Sequence, residues 1–138
     1  MFSELLTRLT QPRPLPLPDT DARLALAALL VRVAKSDNNF AFEEVRQIDR
    51  ILAERYGLSP VAAAKLRAQA QKMEPQAPAT ADFARSVKAA VPYADRSAVV
   101  VALWSVIVSD GAEKPEEAVV LAEIAGVLGV STEDLEKE

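Results

Sequence analysis

The chain has 138 residues, of which 50% are hydrophobic and 5% aromatic, and its formal net charge is −4. This length predicts a single domain that can bury a core of its own. The absence of Cys and His excludes disulfides, zinc–thiolate sites, imidazole ligands and a Ser-His-Asp triad. The net negative charge argues against nucleic acid as a partner, because no basic stripe is present to neutralise phosphates.

The N-terminal residues predict a short amphipathic helix followed by a spacer. Apolar side chains recur at helical spacing from Met1 to Leu9, and we expect this helix to dock on the rest of the protein, because it lacks the basic face needed at a membrane surface. Prolines alternate with other residues from Gln11 to Pro18, which predicts an extended linker. Residues 1–18 are therefore assigned to a helix and linker, and residues 19–138 to a helical domain. Deletion of residues 1–18 is expected to change stability little.

The sequence gives no indication of membrane insertion. No apolar run is long enough to span a bilayer. The N-terminus is not typical of a signal peptide, since Glu4 and Arg8 interrupt it and prolines follow. The expected location is the cytoplasm.

Apolar residues at helical spacing predict helices along the remaining chain, and no segment is a strand candidate. The predicted helices run from Thr20 or Asp21 to Ser36, from Phe42 to Tyr56, from Pro60, after a Ser59 cap, to Met73, from after Thr80 to before Pro92, from Asp95 to Val108 and from Pro115 to Gly129. Ser59 and Pro60 are typical of a helix start, and Gly57 of a helix end. Glu74 to Pro78 is predicted to be a loop, and Ser131 with Asp134 to cap a last turn. The fold class is all-α, with about seven helices.

One acidic stretch occurs twice. Ser36-Asp37 is followed by Glu43-Glu44, and Ser109-Asp110 by Glu116-Glu117, with the same spacing and an offset of 73 positions. This offset indicates an internal duplication. Asp37 and Asp110 each continue the apolar stripe of the helix before the turn. Glu44 and Glu117 each begin the stripe of the helix after it. The sequence therefore predicts a compact bundle of two pseudo-symmetric helical hairpins, each holding two carboxylates at one end.

The acidic residues Asp37, Glu44, Asp110 and Glu117 have two interpretations. In the first they are metal ligands, because carboxylate oxygens suit calcium or magnesium, and an Asp at a helix C-terminus is otherwise disfavoured by about 0.3–1 kcal/mol. In the second they are structural, with Asp accepting hydrogen bonds from the turn and Glu stabilised in the first turn of the next helix. An EF-hand is excluded, since Phe42 and Ile48 stand where its Gly and bidentate Glu are required.

The duplicated Ser-Asp-(Gly/Asn) and Glu-Glu turn resembles the TerB-like family. The resemblance covers Asp19 to Glu138 and includes the helix end at Gly57-Leu58-Ser59 and its copy, Gly129-Val130-Ser131. That family includes tellurite-resistance proteins and the N-terminal domain of a membrane-anchored DnaJ-type co-chaperone. The resemblance implies an all-α fold, a link to metal or stress responses and no established reaction. Asn38 departs from the family, which usually has Gly at this position.

Two functions are therefore expected, and neither is enzymatic. One is a divalent-cation-responsive module in a bacterial stress or tellurite-resistance response, and the other is an adaptor whose acidic turns are purely structural. A protein partner is expected in either case. The sequence shows no nucleophile–base pair and no phosphate loop, which argues against an enzyme. Trp104 is expected in the core, and the Lys and Arg residues along the helices on solvated faces.

Overall fold

The protein is all-α in the part described by the structure, a computed structural model that covers residues 5–7, 19–36, 42–109 and 115–130. The helices are α1 (residues 5–7), α2 (Asp19–Lys35), α3 (Phe42–Tyr56), α4 (Pro60–Met73), α5 (Thr80–Ala90), α6 (Arg96–Ile107) and α7 (Pro115–Leu128). Short 3₁₀ turns, Glu74–Gln76 and Tyr93–Asp95, precede α5 and α6. The predicted fold class is confirmed.

The helix ends follow local sequence signals. The Ser59 hydroxyl accepts a hydrogen bond from the Ala62 amide at 3.1 Å, and Pro60 occupies the first helical position of α4. Helices α3 and α7 both end at a glycine with positive φ, Gly57 at 63° and Gly129 at 77°. In both cases the amide after the glycine donates to the carbonyl five residues earlier at 3.0 Å. These are Schellman-type helix ends, which favour glycine.

The duplication extends to details of geometry. The hydroxyl groups of Ser36 and Ser109 each donate to the carbonyl three residues earlier, and both distances are 2.7 Å. Helix α3 has 15 residues and α7 has 14. The two helices start at equivalent positions, and α7 ends one residue earlier. The two hairpins, α2 with α3 and α6 with α7, are therefore equivalent elements.

Helix α2 lies at the centre of the molecule. Every residue from Ala25 to Val31 is at most 3% exposed, which is the pattern of a helix covered on all sides. It packs against α3, α4, α5, α6 and α7. Helix α4 also packs against α3, and α5 against α7. The two halves therefore share α2 as the centre of one core.

The N-terminal helix contributes to this core. Leu5 is only 3% exposed and belongs to the buried cluster, and Leu6 packs against that cluster. The expected docking of α1 is therefore observed. The predicted linker, Gln11 to Pro18, lies outside the described residues, and so do the predicted last turn at Ser131 and Asp134. The assignment of residues 1–18 and 19–138 as separate units stays a prediction.

Arg32 connects α2 to the segment between α4 and α5. Its side chain is 15% exposed, and its guanidinium group lies 5.1 Å from the ring centre of Phe83. It donates hydrogen bonds to the carbonyl groups of Pro78 and Glu74. The Glu74 carboxylate also accepts from Lys35 at 2.9 Å. The expectation that basic residues occupy solvated faces is therefore wrong for Arg32.

Candidate functional site

One glutamate in each acidic turn is completely buried. Glu44 lies in the first turn of α3 and Glu117 in the first turn of α7, and both are 0% exposed. Each is followed four residues later by a buried aliphatic side chain, Ile48 or Leu121. The prediction that these glutamates begin the apolar stripes is confirmed. Their burial is a property of the duplicated unit, because it recurs at the same position in both copies.

Only the second glutamate of each Glu-Glu pair is buried. Glu43 and Glu116, one residue earlier, are exposed. A fully buried carboxylate loses its hydration, which costs several kcal/mol unless other groups compensate. The positive end of the helix dipole favours a carboxylate in the first helical turn, and both glutamates take part in hydrogen-bonding or electrostatic interactions. Glu44 and Glu117 are therefore buried carboxylates at equivalent positions in the first turns of α3 and α7.

The two aspartates of the predicted site, Asp37 and Asp110, lie outside the described residues. The serines before them, Ser36 and Ser109, have the same hydrogen-bond geometry, so both turns are entered in the same way. Among the side chains that the structure describes, no group of three or more acidic residues could hold a metal ion. The role of Asp37, Glu44, Asp110 and Glu117 as metal ligands stays a prediction.

A second feature is an open groove between α3 and α6, which the sequence analysis did not identify. Two adjoining cavities of about 440 and 390 Å³ form it. We call it the α3/α6 groove, lined by Arg46, Gln47, Ile51 and Arg55 of α3 and by Val101 and Ser105 of α6. Gln47 and Ser105 line both cavities and form a hydrogen bond of 3.2 Å across the groove.

Three basic side chains that are not buried in the core lie along the α3/α6 groove. Arg46, Arg50 and Arg55 are exposed along α3, beside the acidic side chains of Glu43 and Glu54. Within the described residues, none of the three guanidinium groups forms an ion pair with a carboxylate. The lining therefore has a positive excess in a chain whose net charge is −4.

A comparison of the two copies in the sequence could have found this groove. Val120 and Leu128 of α7 stand at the positions of Gln47 and Arg55 of α3. Polar residues therefore replace apolar ones along one face of α3. When one copy of a duplicated helix has polar residues where the other has apolar ones, that face is not expected to be buried by a neighbouring helix in both copies.

One of three comparisons with known proteins identifies a family for this chain. The chain matches the family described as tellurite resistance protein TerB over residues 23–137. No curated protein and no solved structure matches it. In the described part of the chain, every helix is too short or too polar to cross a membrane.

Proposed function

The chain belongs to the TerB family, and from this membership we propose that it is a cytoplasmic, non-enzymatic module that responds to a divalent cation. Calcium or magnesium is the proposed ion, and a stress or tellurite-resistance response is the proposed setting. The observation that supports this function is the complete burial of Glu44 and Glu117 at equivalent positions beside the two acidic turns. Oxygen ligands of this kind suit hard cations.

In this proposal each turn supplies two carboxylates to a cation, Asp37 with Glu44 and Asp110 with Glu117. The bound ion offsets the repulsion between each aspartate and the negative end of the preceding helix. It also joins the end of one helix to the start of the next. Cation binding therefore stabilises both hairpins and makes their stability depend on ion concentration.

The test is a set of thermal melting curves in chelator and at several calcium or magnesium concentrations. Wild-type protein should gain stability by RT ln(1 + [L]/Kd) as the ion concentration rises. Asp37→Asn, Asp110→Asn, Glu44→Gln and Glu117→Gln should each reduce that gain. Glu43→Gln and Glu116→Gln are matched controls, because these exposed acids lie in the same turns and should leave the gain unchanged.

The structural interpretation of the acids predicts a different result. Each Asp→Asn change would then cost about 0.5–2 kcal/mol, the usual contribution of a helix cap, with or without the ion. A wild-type melting temperature that does not depend on calcium or magnesium would exclude the cation-responsive function for these ions.

A second candidate function is a protein–protein adaptor whose acidic turns are structural. The α3/α6 groove favours it, because an open groove with apolar and basic lining residues can accept a segment of another protein. Saturable binding of a helical peptide, lost when Ala98→Trp fills the groove, tests this function. An absence of binding by helical peptides of any charge would exclude it for this groove.

A further inference from the structure

The α3/α6 groove has a counterpart in the other half of the molecule. The duplication makes α2 equivalent to α6 and α3 equivalent to α7. The counterpart of the α3/α6 groove therefore lies between α7 and α2. Helix α5 packs against both α7 and α2. One of the two equivalent grooves is thus filled by a helix of the chain itself.

Burial along α3 and α7 shows the difference between the two grooves. Ile124 and Leu128 of α7 are 0% and 2% exposed. Their equivalents on α3 are Ile51, which is half-buried, and Arg55, which is exposed. Because both helices start at equivalent positions, these residues point in equivalent directions. Helix α7, the more buried of the two at these positions, also packs against α5.

The central helices show the same difference. Ala25 of α2 is 1% exposed, whereas its equivalent on α6, Ala98, is exposed and lines the α3/α6 groove. Arg32 occupies the position equivalent to Ser105, and its guanidinium group stacks over Phe83 of α5. In the groove between α7 and α2, a side chain of α5 therefore covers the position equivalent to Ser105. In the α3/α6 groove, Ser105 itself lines an open cavity.

The sequence does not supply a second copy of α5. The positions equivalent to Thr80–Ala90 are residues 7–17, which include Pro12, Pro14 and Pro16. A proline inside a helix removes a backbone donor and costs about 3 kcal/mol. Residues 7–17 are therefore not expected to form a helix equivalent to α5.

We propose that the α3/α6 groove binds an amphipathic, acidic helix of a partner protein. The partner helix places its apolar side chains against Ile51 and Val101, which line the groove, just as α5 packs against α7 and α2 in the other half. Its carboxylates pair with Arg46, Arg50 and Arg55, whose charges have no carboxylate partner among the described residues. This proposal rests on the adaptor function and specifies the chemistry of the partner.

The groove is lined by both apolar and polar residues, which suits a binding site that is exposed to solvent when the partner is absent. Helix α7 has apolar residues at the three positions equivalent to Gln47, Ile51 and Arg55, namely Val120, Ile124 and Leu128, whose exposure to water would be unfavourable. Helix α3 has Gln47 and Arg55 at two of these three positions. Interfaces that form and dissociate are more polar than a permanent core, and Arg is enriched in them. The substitutions keep the shape of a helix-binding groove and make it compatible with solvent.

The probe for the test is a fluorescent, hydrocarbon-stapled peptide with the α5 sequence Thr80–Ala90 and the changes Arg85→Glu and Lys88→Glu. The staple is needed because an isolated helix of this length is marginal in water. Fluorescence anisotropy with the full chain should show saturable binding that weakens as salt rises. The same stapled peptide without the two changes is the charge control and should bind at least about tenfold more weakly.

Matched variants locate the binding site. Arg50→Glu should weaken binding of the acidic peptide about tenfold or more, whereas Lys65→Glu, the same charge change on the exposed face of α4, should have little effect. Ala98→Trp should block the groove. Ala122→Trp, at an exposed position of α7, is its steric control. Melting curves of all four variants establish that each is folded.

Several results would overturn the proposal. Failure of the acidic peptide to bind at about 1 mM, or binding that survives both Arg50→Glu and Ala98→Trp, excludes the groove as its site. Binding seen only after deletion of residues 1–18 would assign the groove to the chain's own N-terminus. Preferential binding of the unmodified α5 peptide would contradict an acidic partner helix but would still support the adaptor function. If neither peptide binds, both the acidic partner helix and the adaptor function are rejected for this groove.

Discussion

At the scale of single residues, Arg32 forms several polar contacts between α2 and the segment that leads into α5. Its guanidinium group contacts the backbone between α4 and α5, the Glu74 carboxylate and the Phe83 ring. A planar group with several donors suits this arrangement, because it can reach two carbonyl groups and a carboxylate at the same time. Arg32 therefore holds α5 against α2.

We expect Arg32→Ala to lower the free energy of unfolding by about 2–3 kcal/mol, because buried acceptors lose a charged donor. Arg32→Lys should recover only part of this loss, since a lysine cannot match the planar geometry. Arg85→Ala is the control. Arg85 forms an exposed ion pair with Asp82, so its loss should cost no more than about 0.5 kcal/mol. Chemical denaturation measures the free energy of unfolding of all three variants. Equal decreases for Arg32→Ala and Arg85→Ala would contradict the role of Arg32.

At the scale of helices, the burial of Leu5 argues against the expectation that the N-terminal element is dispensable. The prolines after Leu9 suggest a dispensable segment, but Leu5 is buried in the core. We expect Leu5→Ala to cost about 2–3 kcal/mol, as for other buried leucines. The half-buried Leu6 serves as control, and Leu6→Ala should cost about 1 kcal/mol. Deletion of residues 1–18 should lower the midpoint of urea unfolding at least as much as Leu5→Ala, and an unchanged midpoint would show that α1 contributes nothing.

Most helices could be predicted from the sequence because their ends depend on local chemistry. The Ser59 cap, Pro60 and Gly57 each act within one turn of their own position, and α3 and α4 begin where predicted. Helix α6 begins at Arg96 rather than Asp95, because a 3₁₀ turn precedes it. The duplicated stripe also predicts the burial of Glu44 and Glu117.

The features that could not be predicted depend on segments that are distant in the sequence. Gln47 and Ser105, which join across the α3/α6 groove, are 58 positions apart. Arg32 and its acceptor at Pro78 are 46 apart. Helical periodicity shows which face of a helix is buried, but it does not identify the neighbouring helix. The Arg32 contacts therefore become visible only when the helices are packed together. For the groove, a comparison of the two copies indicates the altered face of α3 but does not identify α6 as its neighbour.

At the scale of the whole molecule, the duplication does not produce two independent folding units. Helix α2 buries its residues against helices of both halves. We expect a fragment of residues 19–79 to lack cooperative unfolding, because its central helix would expose the faces that α5, α6 and α7 cover. The full chain should unfold in one transition.

Circular dichroism of the fragment and the full chain checks this expectation. Mixing the fragment with residues 80–138 should restore helical signal if the two halves complete one core. The same amount of unfolded, unrelated protein of similar length is a control for non-specific association. A sharp thermal transition of residues 19–79 alone would show that the first hairpin and α4 are sufficient for folding.

The enclosure of α2 also determines how its backbone exchanges hydrogen with solvent. Amides from Ala25 to Val31 lie in a helix covered on all sides, so fraying or the opening of one neighbour does not expose them. Their exchange in deuterated water requires opening of the entire core, and its rate gives the free energy of global unfolding. A ligand at the acidic turns or in the α3/α6 groove will slow exchange in α2 by an amount that reflects its binding free energy, although α2 itself need not touch the ligand.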